Sequence, residues 1–161
     1  MLSDIRVGFG HDIHAFANGR KLWLGGVQIE YERGLLGHSD ADALIHSIMD
    51  AMLGALALGD IGQHFPDTDP QYKEISSVEL LKNVVELTKS KGYRVGNIDC
   101  MIHCERPKIA PHKESMKKIL AETIGIDLDR ISIKAGTNEK MDSVGEGRSI
   151  ECDAVVLMIK E

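Results

Sequence analysis

Residues 38–59 read HSDADALIHSIMDAMLGALALG, and this stretch decides the fold. Apolar residues fall at Ala41, Leu44, Ile45, Ile48, Met49, Met52, Leu53 and Leu56, in alternating steps of three and one. That period belongs to a helix with one face on a core, here predicted over Ala41–Leu58 and stopped by Gly59. Ser39 reads as its N-cap, with Asp42 three residues on completing a capping box. Asp42, His46 and Asp50 are four apart, so they share a helix face, read here as lying beside the apolar stripe.

Working outward, Ile5–Gly10 reads as a short strand ending in glycines, and Lys21–Tyr31 as two strands around Gly25-Gly26. A polar loop, Asp60–Pro70, precedes a second helix opened by Ser76 with Glu79 and closed at Gly92. Tyr93–Cys104 alternates as a strand. A third helix begins near Pro111 and stops at Gly125, and the last strands are Ile131–Ala135 and Glu151–Ile159, flanking a glycine-rich loop. The expectation is a single α+β domain, 1–161, with a mixed β-sheet covered by helices on one face.

The chain has 161 residues, 43% of them hydrophobic but only 4% aromatic, so its core is built from Leu, Ile, Val, Ala and Met. The net charge of −6 argues against a duplex nucleic-acid binder, which needs a basic face. An anionic small molecule is still admissible if local groups supply the positive charge. The three cysteines, Cys100, Cys104 and Cys152, lack metal-type spacing and read as small buried hydrophobes of a reducing compartment. With no signal-peptide pattern and no apolar stretch long enough for a bilayer, the expected location is the cytoplasm, away from any membrane.

Three clusters carry chemistry. Asp12 and His14 are two apart in an extended segment, so both face one way. If His46 from the helix meets them, the result is a His₂Asp set, and three protein ligands plus one open position is the catalytic zinc pattern. Asp50 reads as a structural hydrogen-bond partner. His38 and Ser39, at the expected helix start, offer a donor and a hydroxyl to an anion, although Ser39 taken alone reads as a cap. Lys108, in Arg106-Pro107-Lys108, and Thr137 and Glu139, after the strand ISIKA, are further candidates for phosphate and divalent-ion contacts. His103 and His112 read as ordinary strand or surface residues. Gly8 and Gly10 lack the third glycine and following helix of a dinucleotide-binding turn.

In order, GFGHDIHAF, LLGHSDADALIHSIMDAMLGALALGDIG, HFPDTDP, KGYRVGNIDCMIHCERPKIAPH and IKAGTNEK resemble the 2-C-methyl-D-erythritol 2,4-cyclodiphosphate synthase family from first strand to last. The resemblance implies a phosphorus–oxygen lyase of the non-mevalonate isoprenoid route. Such an enzyme converts 4-diphosphocytidyl-2-C-methyl-D-erythritol 2-phosphate to the 2,4-cyclodiphosphate and CMP. It implies Zn2+ on Asp12, His14 and His46, and Mg2+ or Mn2+ on Glu139. His38 and Thr137 then orient and stabilise the reacting phosphates. Ser39, Asp60 and Gly62 match contacts to the methylerythritol part, with Ile61, Phe65, Asp67 and Asp69 as further substrate-binding residues. Cys104, Pro107, Lys108, Ile109 and Ala110 match the cytidine diphosphate pocket, with Gly136 and Asn138 as further substrate-binding residues. It further implies a homotrimer whose active sites lie between subunits, with a CDP-linked small molecule as substrate.

One stretch departs from many bacterial members, where G-F-x-G-R-G-E-G sets an aromatic and an Arg around an axial cavity for isoprenoid diphosphates. Here Ser143 stands for the aromatic and Glu146 for the Arg, with Arg148 nearby. Two other readings use the same residues. A zinc-dependent nucleotide pyrophosphohydrolase would activate water and yield linear phosphates. A nucleotide- or metal-binding protein would use the histidines structurally, but structural zinc usually has four protein ligands, often Cys.

Overall fold

The structure, a computed structural model, describes residues 4–161. In chain order it comprises strand β1 (Ile5–Ala17), a small hairpin of β2 (Leu22–Leu24) and β3 (Val27–Ile29), and the short β4 (Gly34–Leu35). Helix α1 (Ala43–Ala55), the helical turn α2 (Ile61–His64), helix α3 (Ser77–Ser90), strand β5 (Tyr93–His103) and helix α4 (Lys113–Ile124) follow. The chain ends with β6 (Ile131–Gly136), the turn α5 (Asp142–Gly145) and β7 (Ser149–Lys160). The main sheet runs β4-β1-β7-β5-β6 and is antiparallel except for the parallel β5–β6 pair. It is therefore mixed, as expected, and the order of elements follows the sequence reading.

Strand parity divides the sheet into two unlike faces. On β7, Ile150, Cys152, Ala154, Val156 and Met158 are buried and face the helices, and Ile98, Cys100 and Ile102 do the same on β5. A continuous core joins them to α1, α3 and α4. The other face carries Ile5, Val7, Phe9, Ile13 and Val155 exposed, with Val7 64% and Phe9 63% accessible. Helices thus cover one face and leave an apolar one open.

Strand β1 is longer than Ile5–Gly10. It pairs with β7 from Ile5↔Ile159 to Ala15↔Ser149, which puts Asp12 and His14 inside the sheet. Helix α1 lies directly on β1 because two glycines let it. A Cβ on Gly10 would stand 1.8 Å from the Ser47 carbonyl oxygen, and one on Gly8 1.8 Å from that of Ala51. The neighbours are backbone and cannot swing aside. Gly10→Ala is expected to lower the unfolding free energy by about 3 kcal/mol, the upper range for overpacking, with urea denaturation as the check. The same close approach brings His46 over Asp12.

Helix α1 begins later than the periodicity suggests, and its cap is not Ser39. Ala41 has a φ of +59°, outside the helical region. The cap is Asp42, whose carboxylate accepts the Ile45 N–H at 3.0 Å and also those of Gly25 and Gly26 at 2.9 and 2.8 Å. Asp42 and His46 are buried, so their shared face is not outside the apolar stripe; the helix is enclosed nearly all round. Asp42 ties the β2–β3 turn to the helix that carries His46.

Burial, with repulsion from Asp40 second, raises the Asp42 pKa to about 6. The folded state therefore holds this proton more tightly than the unfolded one. Stability from this group falls as pH rises from the usual carboxylate range to about 6. Relative to Asp42→Asn, which has no such proton, the wild type is expected to gain up to about 3 kcal/mol on going from pH 7 to pH 4. Paired urea titrations across that range check the sign.

The remaining helix ends agree with the sequence. Gly92 and Gly125 follow α3 and α4, and the segment Asp60–Pro70 contains α2. Cys100, Cys104 and Cys152 are buried, unpaired thiols. Burial pushes Cys100 and Cys104 up to about 12, which makes them poor nucleophiles. No helix among the described residues is long and apolar enough to cross a membrane.

Candidate metal centre and substrate clefts

Asp12, His14 and His46 offer ligand atoms that all lie within 4.8 Å of one another. Asp12 and His14 come from one face of β1 and His46 from α1 above it. His14 Nδ1 donates to the Leu36 carbonyl at 2.7 Å, which leaves a lone pair on Nε2 of the neutral ring. That Nε2 lies 2.8 Å from Asp12 Oδ2 yet is a buried polar atom with no properly aligned hydrogen bond. His46 Nδ1 lies 3.1 Å from the same oxygen. Its Nε2 faces the Ser77 hydroxyl at 2.9 Å and the Ser39 hydroxyl at 3.2 Å.

Two ring nitrogens converging on one carboxylate oxygen fit a cation better than a hydrogen-bond network. One carboxylate and two imidazoles, with ring partners on the far nitrogens, is a donor set suited to a borderline divalent metal. Burial acts to raise the Asp12 pKa, but contacts and charge from His14 and His46 outweigh it and hold the carboxyl at about 2. Burial likewise acts to lower His14, and Asp12 more than offsets this, leaving it above its ordinary value.

These residues line a cleft of about 580 Å³ together with Gly37, His38, Ser39, Ile61, Gly62, Phe65 and Asp67. Pro66, Thr68, Tyr72 and Leu80 complete its wall; Pro66 and Thr68 lie in the HFPDTDP stretch, whereas Tyr72 and Leu80 did not stand out in the sequence. His38 Nε2 donates to the Asp69 carbonyl at 3.0 Å, so Asp69 meets the site through its backbone. The Asp69 side chain turns instead to Gln71, whose backbone N–H it accepts at 3.0 Å. Asp60 caps α2, accepting the Gln63 N–H at 3.0 Å. Asp50 accepts the Ile61 N–H at 2.8 Å, the structural partnership read from its position.

A second, separate cleft of about 190 Å³ is lined by Cys104, Pro107, Lys108, Ile109, Ala110, Gly136 and Thr137, with Glu105, Lys113 and Ala135. It sits where β5 and β6 end side by side, His103 opposite Gly136. The Arg106–Pro107 peptide is cis. Asn138 and Glu139 line neither cleft: Asn138 donates to Asp142, and Glu139 is exposed with a left-handed φ of 51°. The two clefts share no residue. Most of the site residues expected together thus fall into two groups within one chain, with Asn138 and Glu139 outside both.

In the stretch that departs from the bacterial pattern, Ser143 shares a hydrogen bond with Ser149 at 2.9 Å. Arg148 pairs with Glu146 at 2.7 Å, so its charge is already matched.

Asp12, His14 and His46 at an open cleft, on an α+β sheet layered with helices, form a candidate cation site. A family model described as the YgbB family matches residues 5–159. A 2-C-methyl-D-erythritol 2,4-cyclodiphosphate synthase of Trichlorobacter lovleyi is 52% identical over 98% of this chain and 100% of its own. One of Geobacter metallireducens is 55% identical, over 96% and 98%. A solved structure described as the IspF CDP complex of Plasmodium falciparum superposes with a TM-score of 0.86 at 36% identity, covering 100% of this chain and 99% of its own. The chain belongs to the YgbB family.

Proposed function

We propose that this chain is a 2-C-methyl-D-erythritol 2,4-cyclodiphosphate synthase, a phosphorus–oxygen lyase acting on a CDP-linked substrate. The observation that carries the reading is the convergence of Asp12, His14 and His46 on one wall of the larger cleft, beside His38 and Ser39. Full-length identity to relatives of that name supports it.

In the reaction, an oxygen of the 2-phosphate attacks the β-phosphorus. The bond from that phosphorus to the oxygen bridging it to the α-phosphorus breaks, and CMP leaves with the bridging oxygen. Water is not consumed. Zinc on Asp12, His14 and His46, and magnesium or manganese on Glu139, would supply Lewis-acid polarisation of the phosphate oxygens. His38 and Thr137 present an imidazole and a hydroxyl to the phosphates. Ser39, Ile61, Gly62, Phe65 and Asp67 shape the larger cleft around the methylerythritol chain, with Asp60 and Asp69 fixing its loop. Cys104, Pro107, Lys108, Ile109, Ala110, Gly136 and Asn138 belong to the cytidine diphosphate side. Because attacker and target belong to one molecule, folding it into a near-attack loop supplies much of the rate.

The active assembly is a homotrimer in which one chain's cation cleft meets the nucleotide cleft of the next. The separation of the two clefts within one chain supports this, as does the exposed apolar face with Val7 and Phe9. Three unpaired buried thiols support a reducing, cytoplasmic setting.

Turnover in ¹⁸O-labelled water separates this reading from the pyrophosphohydrolase. Cyclisation leaves CMP and the diphosphate product unlabelled. Label in CMP or in a linear phosphate would establish hydrolysis instead.

A further inference from the structure

We propose that Asp40 and Ser77 are positioning residues for the cation centre, fixing the tautomer and aim of His46 and through it the affinity for the cation. The proposal rests on the cation reading of Asp12, His14 and His46.

Ser77 is fully buried at the first residue of α3. Its hydroxyl donates to Asp40 Oδ1, and its backbone N–H donates to Asp40 Oδ2 at 2.9 Å. A serine hydroxyl has one proton. With that proton on Asp40, the Ser77 oxygen has only lone pairs to offer His46 Nε2, 2.9 Å away. His46 must therefore carry its proton on Nε2, which leaves the Nδ1 lone pair facing the cation position. The opposite tautomer would put an N–H on Nδ1, aimed at Asp12 Oδ2 at 3.1 Å. That hydrogen bond would compete with the cation for both ligands. The Ser39 hydroxyl, 3.2 Å from Nε2, cannot fix the tautomer, because it is free to donate or accept there.

The relay is held rigidly at both ends. The His38 carbonyl accepts the Glu74 N–H at 2.8 Å, and the Ile75 carbonyl accepts the Asp40 N–H at 3.1 Å. The turn before α1 is thus zipped onto the segment before α3. Asp40 Oδ1 also accepts the Asp42 N–H at 3.1 Å, across the left-handed Ala41. A carboxylate ordering a metal-bound histidine is a common arrangement; here a serine is inserted between the two, and it comes from a different helix.

Two measurements test this. The first is ¹⁵N-resolved NMR of the imidazoles in the cation-free protein. The wild type is expected to show His46 protonated at Nε2, and Ser77→Ala to show a mixture or the Nδ1 form. A wild type with the proton on Nδ1 overturns the relay whatever the cation result. The second is zinc affinity by chelator competition. Ser77→Ala and Asp40→Asn are each expected to weaken binding about 10–100-fold, and Thr88→Val, which removes a buried hydroxyl elsewhere in α3, to stay within about two-fold. Circular dichroism confirms folding of each variant, and Asp40→Asn carries the test should Ser77→Ala not fold. Equal affinity in the wild type and both relay variants overturns the proposal. A wild type that binds no zinc overturns the cation reading, and the relay's effect on affinity with it.

Discussion

His46→Ala is expected to remove the cation from the larger cleft and lower turnover by about three orders of magnitude or more. Lewis-acid stabilisation of a phosphoryl transition state supplies several kcal/mol, and each 1.36 kcal/mol is about a factor of ten. With His46 gone, only Asp12 and His14 remain, two apart on β1, and a two-ligand site cannot hold the ion at working concentrations. The fold should survive, because α1 is anchored by Asp42 at its start and by Gly8 and Gly10 beneath it rather than by the imidazole. Zinc content by elemental analysis, steady-state rate and a urea curve on one preparation check all three parts. A variant that keeps its zinc, or keeps its rate without zinc, would refute the assignment of His46.

Two inactive variants are expected to rescue each other. His46→Ala damages only the cation cleft and Thr137→Ala only the nucleotide cleft, and within one chain these clefts share no residue. Removing a group that stabilises the reacting phosphates costs about 10²–10³ in rate, so each variant alone should be nearly silent. In a cyclic assembly formed from an equal mixture, a site built across a subunit boundary takes one intact cleft from each kind of chain in about a quarter of cases. Co-expression with two tags, followed by tandem purification, keeps only mixed trimers, in each of which one site of three is wholly intact, and should therefore recover about a third of the wild-type rate. A mixture no more active than the mean of its parents would place the whole site within one chain.

Much of this was legible in the sequence because it follows from periodicity. The apolar steps from Leu44 to Leu56 gave α1, Gly92 and Gly125 gave the ends of α3 and α4, and the Gly25-Gly26 turn gave β2 and β3. The pairing of Asp12 with His14 was legible for the same reason, because residues two apart on a strand share a face; that His46 of α1 lies over them is set by packing. What was not legible depends on backbone packing. Periodicity allows Ala41 to be helical, but its positive φ, set by the Asp40 contacts to Asp42 and Ser77, delays the helix to Ala43. Capping statistics favour Ser39 as much as Asp42, and only the position of the Gly25-Gly26 turn decides between them. The enclosure of α1 follows from glycines on another element, so its own residues do not show it. Ser77 lies 31 positions from His46 and reads as an ordinary helix-start serine.

The most direct test of the central claim is phosphorus NMR of the purified protein with 4-diphosphocytidyl-2-C-methyl-D-erythritol 2-phosphate, zinc and magnesium. Cyclic diphosphate and CMP rising together in equal amounts, and absent with His46→Ala, is the predicted result. Linear phosphates, or unchanged substrate over a folded and zinc-loaded protein, would contradict it.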